Sequence, residues 1–142
     1  MAAGGASGDS CCMPAPSPRP LKVFHADDSP LMRERVAGLL DSSLMAVVGH
    51  AETPQYAIDG ILALHPDVVV LDVQLEGGSG LQVLRAVRHV APDIAFVVFS
   101  NHSDPAYRKR YLDEGAQAFL DKSSEFDQLA RAVTQASPAF TH

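Results

Sequence analysis

The stretch Val68-Val69-Val70-Leu71-Asp72 decides the fold of this chain of 142 residues. Four consecutive aliphatic residues are typical of a strand that is buried on both faces of a parallel sheet. The carboxylate that follows them stands at the carboxyl end of the strand, which is the edge where open α/β sheets bind their ligands. Asp72 is therefore the first candidate for a functional residue.

Other strand-like runs also end in polar groups. Residues 21–26 lead into Asp27 and Asp28, residues 94–99 lead into Ser100, and residues 118–120 are followed, one residue later, by Lys122. A further strand is predicted at 45–49. Because parallel strands share one carboxyl edge, these side chains are expected to converge there.

Helix signals alternate with the strands. Ser29-Pro30 and Thr53-Pro54 each combine a capping side chain with a proline at the first helical position. Three more helices are predicted, one carrying Leu81, Leu84 and Val87, one running from near Ser103-Asp104-Pro105 to near Gly115, and one opening at Ser124. Five strands alternating with five helices indicate right-handed crossovers and a parallel sheet covered on both faces.

Composition limits the function classes. Residues 1–19 contain almost no large apolar side chains and are expected to form a disordered tail, followed by one domain at 20–137 and a short tail at 138–142. The formal net charge of −6 argues against direct nucleic-acid binding. With neither a signal peptide nor a long apolar stretch, the chain is expected in the cytoplasm and away from membranes. The adjacent Cys11 and Cys12 have no partner in metal-ligand spacing.

The converging residues predict phosphoryl transfer. Three carboxylates in one crevice repel each other unless a cation joins them, and Mg²⁺ is suited because it prefers oxygen ligands. Lys122 would add an ammonium group and Ser100 a hydroxyl donor. A carboxylate nucleophile, a metal ion, an ammonium and a hydroxyl together suit attack on a phosphoryl group.

This set resembles the receiver domain of two-component response regulators over roughly residues 20–136. The segment LDVQLEGGSGLQVL is similar to the family's stretch around its phosphoacceptor, here Asp72, and the glycine eight residues later. The spacings from Asp28 to Asp72 (72 − 28 = 44), to Ser100 (100 − 72 = 28) and to Lys122 (122 − 100 = 22) also fit the family. The resemblance implies a flavodoxin-like, doubly wound fold with five helices and the sheet order 2-1-3-4-5.

The resemblance also implies a reaction and its partners. Asp72 would accept a phosphoryl group from a sensor histidine kinase or a histidine phosphotransfer protein. Asp28, Asp72 and the backbone carbonyl of Gln74 would bind Mg²⁺, with Asp27 acting mainly through water. The family implies a signalling domain rather than an enzyme, limited to its own phosphotransfer and slow dephosphorylation.

Other positions would tune or transmit the reaction. Ser100 and Lys122 would hold the phosphoryl group, and Phe119 matches the aromatic residue that turns inward as the hydroxyl residue moves. The change would reach a downstream protein through the fourth helix, fifth strand and fifth helix. Formation of a homodimer is left open by the sequence. Asn101 stands where a small residue is usual and is expected to narrow access, whereas Gln74 and His102 are expected to set the phosphorylation and dephosphorylation rates.

Alternative functions remain open from the sequence. The chain could be a stand-alone receiver, or a receiver taken from a longer DNA-binding transcriptional regulator. An aspartyl-phosphate phosphatase-like enzyme would need a second aspartate where Gln74 stands. A flavodoxin-like electron carrier is opposed by Asp27-Asp28-Ser29, whose charges would repel a flavin phosphate.

Several residues also have simpler interpretations. Asp72 could be a buried structural carboxylate, and the Asp27-Asp28 pair could cap the turn before the first helix. His25 is expected to be packed or hydrogen-bonded rather than a metal ligand. The basic run 108–110 fits a solvated helix face as well as a docking patch. The glycine-rich segment 77–80 lacks a phosphate-loop pattern and is expected to be a flexible connection.

Overall fold

The computed structural model describes residues 20–42, 44–102 and 104–137. The predicted tails at 1–19 and 138–142, together with Ser103, lie outside the described residues. No helix in these three ranges is long and apolar enough to cross a membrane.

Strands and helices alternate along the chain as the sequence predicts. The strands are β1 (Leu21–Ala26), β2 (Met45–Ala51), β3 (Val68–Leu71), β4 (Gln74–Leu75), β5 (Gly78–Ser79), β6 (Ala95–Ser100) and β7 (Ala118–Asp121). The helices are α1 (Pro30–Leu40), α2 (Pro54–Leu64), α3 (Gly80–Val90), α4 (Pro105–Asp113) and α5 (Leu129–Ala136), with a 3₁₀ turn at Phe126–Gln128.

The main sheet has five parallel strands in the order β2-β1-β3-β6-β7. Counted among the strands of this sheet, that is the predicted order 2-1-3-4-5, so the doubly wound fold is confirmed. The short strands β4 and β5 form a separate antiparallel hairpin. It occupies the glycine-rich segment that was expected to be a flexible connection, and Gly77 takes the positive φ of 80° that its turn needs.

Two of the helix starts follow directly from the capping residues. The side chain of Ser29 accepts a hydrogen bond from the backbone N–H of Met32, and that of Thr53 accepts one from Tyr56, each at 3.2 Å. Prolines follow both caps at the first helical position. These contacts satisfy backbone donors that a helix start otherwise leaves unpaired.

The last helix begins later than predicted. The sequence places its start at Ser124, whereas α5 begins at Leu129 after the 3₁₀ turn. The chain first makes a local turn in which Asp121 accepts from the N–H of Ser123, and the side chain of Glu125 accepts from the N–H of Asp121. These side-chain bonds compete with helix formation at residues 121–125.

The core lies in two layers, one on each face of the sheet. One layer packs against α2, α3 and α4, and the other packs against α1 and α5. All four residues of β3 are fully buried, as predicted for a central strand of a parallel sheet. Each contributes roughly 1.5–3 kcal/mol of burial, so the strand that positions Asp72 is firmly held.

Candidate functional site

The carboxyl edge of the sheet collects the polar residues that the sequence singles out. Asp27 and Asp28 follow β1, Asp72 follows β3, Ser100 is the last residue of β6, and Lys122 follows β7. Four of them are buried, with exposed fractions of 3% for Asp27, 7% for Asp72, 8% for Lys122 and 0% for Ser100. Buried ionisable groups require partners, so their contacts define the site.

Lys122 joins two of the carboxylates. Its Nζ donates to Asp27 Oδ2 at 2.6 Å and to Asp72 Oδ2 at 2.9 Å. Burial alone lowers the pKa of Lys122, but the hydrogen bonds and negative charges of Asp27 and Asp72 outweigh it and raise the pKa above its ordinary value. Lys122 is therefore a cation held between two acids from different strands.

Asp27 is held at both oxygens. Oδ1 accepts from the backbone N–H of Ser29 at 2.9 Å, and Oδ2 accepts from Lys122. Burial raises the pKa of Asp27, but interactions with His25, Lys122 and Ser29 together bring it below its ordinary value. Asp27 thus caps the turn into α1 and also belongs to the site, which combines the two interpretations offered by the sequence.

Asp28 is in a different situation because its side chain is exposed. Burial of part of the group and the charges of Asp27 and Asp72 raise its pKa above the ordinary value. One ligand oxygen from each of these three aspartates lies within 4.8 Å of the others. Such a set of carboxylate oxygens fits a hard divalent cation such as Mg²⁺.

A cavity of about 180 Å³ opens beside these carboxylates. It is lined by Asp27, Asp28, Ser29, Asp72, Gln74, Asn101, His102 and Lys122. Ser100 is fully buried, and its Oγ accepts from the backbone N–H of His102 at 3.0 Å. The structure therefore brings Gln74, Asn101 and His102 to the cavity, while Ser100 orders the loop beside it.

Comparison with known proteins decides the family. The family model for the response regulator receiver domain matches residues 23–134. The chain belongs to the response regulator receiver domain family.

Several relatives of this receiver are longer proteins. A probable transcriptional regulatory protein NarL of Mycobacterium tuberculosis is 37% identical over 122 residues, covering 85% of this chain and 56% of that protein. A protein-glutamate methylesterase/protein-glutamine glutaminase of Clostridium acetobutylicum is 32% identical, covering 78% of this chain and 33% of that protein. The receiver spans about half the length of the transcriptional relatives it matches, and less of the methylesterase.

Solved structures agree with the fold. The signal receiver domain of the putative response regulator NarL from M. tuberculosis aligns with a TM-score of 0.76 at 37% identity, covering 82% of this chain and 94% of that one. A LuxR-family response regulator from Aurantimonas sp. aligns with a TM-score of 0.77 at 26% identity, covering 85% and 92%. Both alignments cover more than four fifths of this chain and support the same overall fold.

Phe119 of this receiver lies away from the cavity. Its ring is 3% exposed and meets the ring of Tyr111 edge-on, with centroids 6.1 Å apart. Arg108 Nη1 donates to the carbonyl oxygen of Phe119 at 2.8 Å, and Arg108 Cζ stands 5.1 Å from the ring centroid. The predicted switch residue is thus held by two side chains of α4.

The basic run 108–110 does not form one uniform surface. Arg108 turns toward β7, whereas Lys109 pairs with Asp113 on its own helix at 2.9 Å. Sequence reasoning missed the Arg108 contact, because charge pattern alone does not say which of three adjacent cations turns inward.

Two further contacts of the receiver site, one at Gly80 and one between His25 and Asp27, were not predicted from the sequence. A Cβ on Gly80 would collide with the backbone carbonyl of Asp72, so only glycine fits at the start of α3. His25 is 2% exposed, and its Nε2 lies 3.6 Å from Asp27 Oδ2. Residues two apart in an extended chain lie on one face, so the spacing of His25 and Asp27 was the available signal for their contact.

Proposed function

We propose that Asp72 is the phosphoacceptor of this receiver. A carboxylate oxygen of Asp72 would attack the phosphorus of a phosphohistidine, forming an O–P bond while the P–N bond breaks and its electron pair returns to the imidazole. The observation that carries this proposal is the pairing of Lys122 with both Asp27 and Asp72 at the edge of the sheet. A cation beside the nucleophile would neutralise negative charge on the oxygens of the phosphoryl group during transfer.

The other residues are assigned by their positions. Lys122 would move from Asp72 toward the phosphoryl oxygens, and the hydroxyl of Ser100 would donate to the same group. Asp28, Asp72 and the carbonyl of Gln74 are proposed to bind Mg²⁺, with Asp27 acting through water. The bound ion would neutralise charge on the phosphoryl oxygens.

The rate and switching roles are also proposals. Gln74, Asn101 and His102 line the cavity. They would affect entry of the donor and of water. Phe119 is proposed to respond to the phosphorylation state and to alter the surface formed by α4, β7 and α5. This surface would bind a downstream protein or a second copy of the chain, and the donor would be a cytoplasmic histidine kinase or phosphotransfer protein.

A second candidate is a receiver that works within a longer transcriptional regulator. It is favoured by relatives named as transcriptional regulatory proteins, about half of whose length this chain covers. A further DNA-binding part would then carry the output, and residues 20–137 would act as its receiver domain. Sequencing the complete transcript distinguishes this candidate from a stand-alone receiver.

Intact-mass spectrometry after incubation with acetyl phosphate and Mg²⁺ tests the phosphoacceptor. We expect the wild type to gain one phosphoryl group, and the Asp72→Ala variant to gain none. Asp59→Ala is the matched control, since Asp59 is an exposed carboxylate on α2 that bonds only to Gln55 in the described contacts. An adduct that persists in Asp72→Ala would refute the assignment. Turnover of a small phosphoester would instead support the phosphatase-like enzyme.

A further inference from the structure

His25 is a buried polar side chain that the proposed phosphotransfer does not use. It is the second-last residue of β1 and is 2% exposed. Among the described residues, its Nε2 has no hydrogen-bond partner. A buried polar nitrogen without a partner costs free energy, so the burial of His25 Nε2 requires an explanation.

Asp27 Oδ2 is the candidate hydrogen-bond acceptor for His25 Nε2. His25 Nε2 lies 3.6 Å from it, which is too long for a hydrogen bond but close enough that a closure of about 0.6 Å would make one (3.6 − 3.0). Lys122 Nζ occupies the same oxygen at 2.6 Å. Oδ2 therefore has one donor in place and a second donor beside it.

The other oxygen of Asp27 is fixed. Oδ1 accepts from the backbone N–H of Ser29 at 2.9 Å, at the start of α1. The carboxylate can therefore turn about this anchored oxygen, and such a turn moves Oδ2 between Lys122 and His25.

We propose that His25 is a positioning residue that donates from Nε2–H to Asp27 Oδ2 when Lys122 engages the phosphoryl group. This inference rests on the proposed phosphorylation of Asp72. In the unmodified protein the N–H groups of Lys122 serve Asp27 and Asp72. Phosphoryl oxygens compete for the same N–H groups, and the hydrogen bond from His25 keeps the buried Asp27 carboxylate satisfied and in place.

Two substitutions separate this role from simple packing. His25→Leu fills the space with an apolar side chain and removes the donor. His25→Gln retains an amide N–H near the position of Nε2–H. His50→Leu is the matched control, because His50 pairs with His25 across β1 and β2 but is exposed and contacts Arg33 instead.

The affinity for beryllofluoride, a mimic of the phosphoryl group, is measured by calorimetry with Mg²⁺ present. We expect His25→Leu to bind it roughly tenfold more weakly than the wild type, the effect of one hydrogen bond to a charged group. His25→Gln should recover most of that loss, and His50→Leu should match the wild type. Equal affinities for the Leu and Gln variants would overturn the proposal, because packing alone would then explain His25.

Nitrogen-15 NMR of the wild type gives a readout that does not depend on any variant folding. We expect a protonated Nε2 whose N–H proton exchanges slowly and whose resonance shifts when beryllofluoride binds. An Nε2 without a proton in the bound form contradicts the proposal. If the wild type itself neither binds beryllofluoride nor gains a phosphoryl group on Asp72, the proposed function fails and the role of His25 fails with it.

Discussion

Replacing Asp28 by asparagine should stabilise this receiver when no divalent cation is present. The pKa of Asp28 is raised by partial burial and by the charges of Asp27 and Asp72. An acid whose pKa is raised on folding stabilises the folded state only while it is protonated, and this contribution is lost as the pH rises through the folded pKa. At neutral pH the ionised Asp28 therefore opposes folding, and Asp28→Asn removes that opposition.

The size of the effect follows from the geometry. Carboxylate oxygens no more than 4.8 Å apart repel with at least about 0.9 kcal/mol per pair in a water-like dielectric, which is the suitable limit for an exposed side chain. Asp28 has two such neighbours, and the charge of Lys122 offsets roughly one of them. The net gain for Asp28→Asn is thus about 1 kcal/mol, which corresponds to a rise in Tm of about 3–5 °C for a domain of this size.

Thermal unfolding followed by circular dichroism measures this gain. In EDTA at pH 7 and low salt we expect Asp28→Asn to melt above the wild type, and in saturating Mg²⁺ we expect the order to reverse because the wild type binds the ion better. The gain should shrink as the pH falls through the raised pKa of Asp28 toward the ordinary value of 3.8, and it should be absent below 3.8, where the carboxyl is neutral in both states. Asp59→Asn is the control for loss of an exposed charge. A failure of Asp28→Asn to raise Tm in EDTA would refute the reasoning, as would a difference in Tm between the variant and the wild type that Mg²⁺ leaves unchanged.

Three further predictions, two of them with a matched control variant, test the surrounding structure. Gly80→Ala should lower the free energy of unfolding by about 1–3 kcal/mol, because the new Cβ collides with the backbone. Its control, Gly38→Ala, lies in open space on α1 and should raise the free energy of unfolding by up to ~1 kcal/mol. Urea melts that give the two variants equal stability would contradict this. Arg108→Ala should cost about 1–2 kcal/mol through its lost hydrogen bond and ring contact, and Arg110→Ala should cost less in the same melts. Burial raises the pKa of Tyr111 to about 12, so ultraviolet titration should lose its latest tyrosinate step in Tyr111→Phe, and an unchanged curve would count against that burial.

The fold was predictable because its strongest determinants are local. Four consecutive aliphatic residues in β3 are typical of a strand buried on both faces, and the Ser-Pro and Thr-Pro pairs mark helix starts through their own side chains. The functional edge was predictable for a related reason. In a parallel sheet, every residue directly after a strand is carried to the same rim, whatever its distance along the chain.

Boundaries and turns were less predictable, because short side-chain bonds decide them. The delayed start of α5 depends on Asp121 and Glu125 bonding to nearby backbone, and polar residues of this kind also occur inside helices. The β4–β5 hairpin depends on the positive φ of Gly77, which a run of glycines permits but does not require. Both features needed the surrounding packing to select one conformation.

The contacts of Lys122 show what sequence spacing leaves open. Lys122 and Asp27 are 95 residues apart, and their bond at 2.6 Å exists only because β1, β3 and β7 end at one edge. The sequence predicted that these groups converge, but not that one ammonium would be shared between two of three carboxylates. Three negative charges and one positive charge leave the site with a formal charge of −2 (−3 + 1), which one divalent cation balances. Asp28 makes no bond to Lys122 among the described contacts, and its pKa is raised first by partial burial and then by the charges of Asp27 and Asp72.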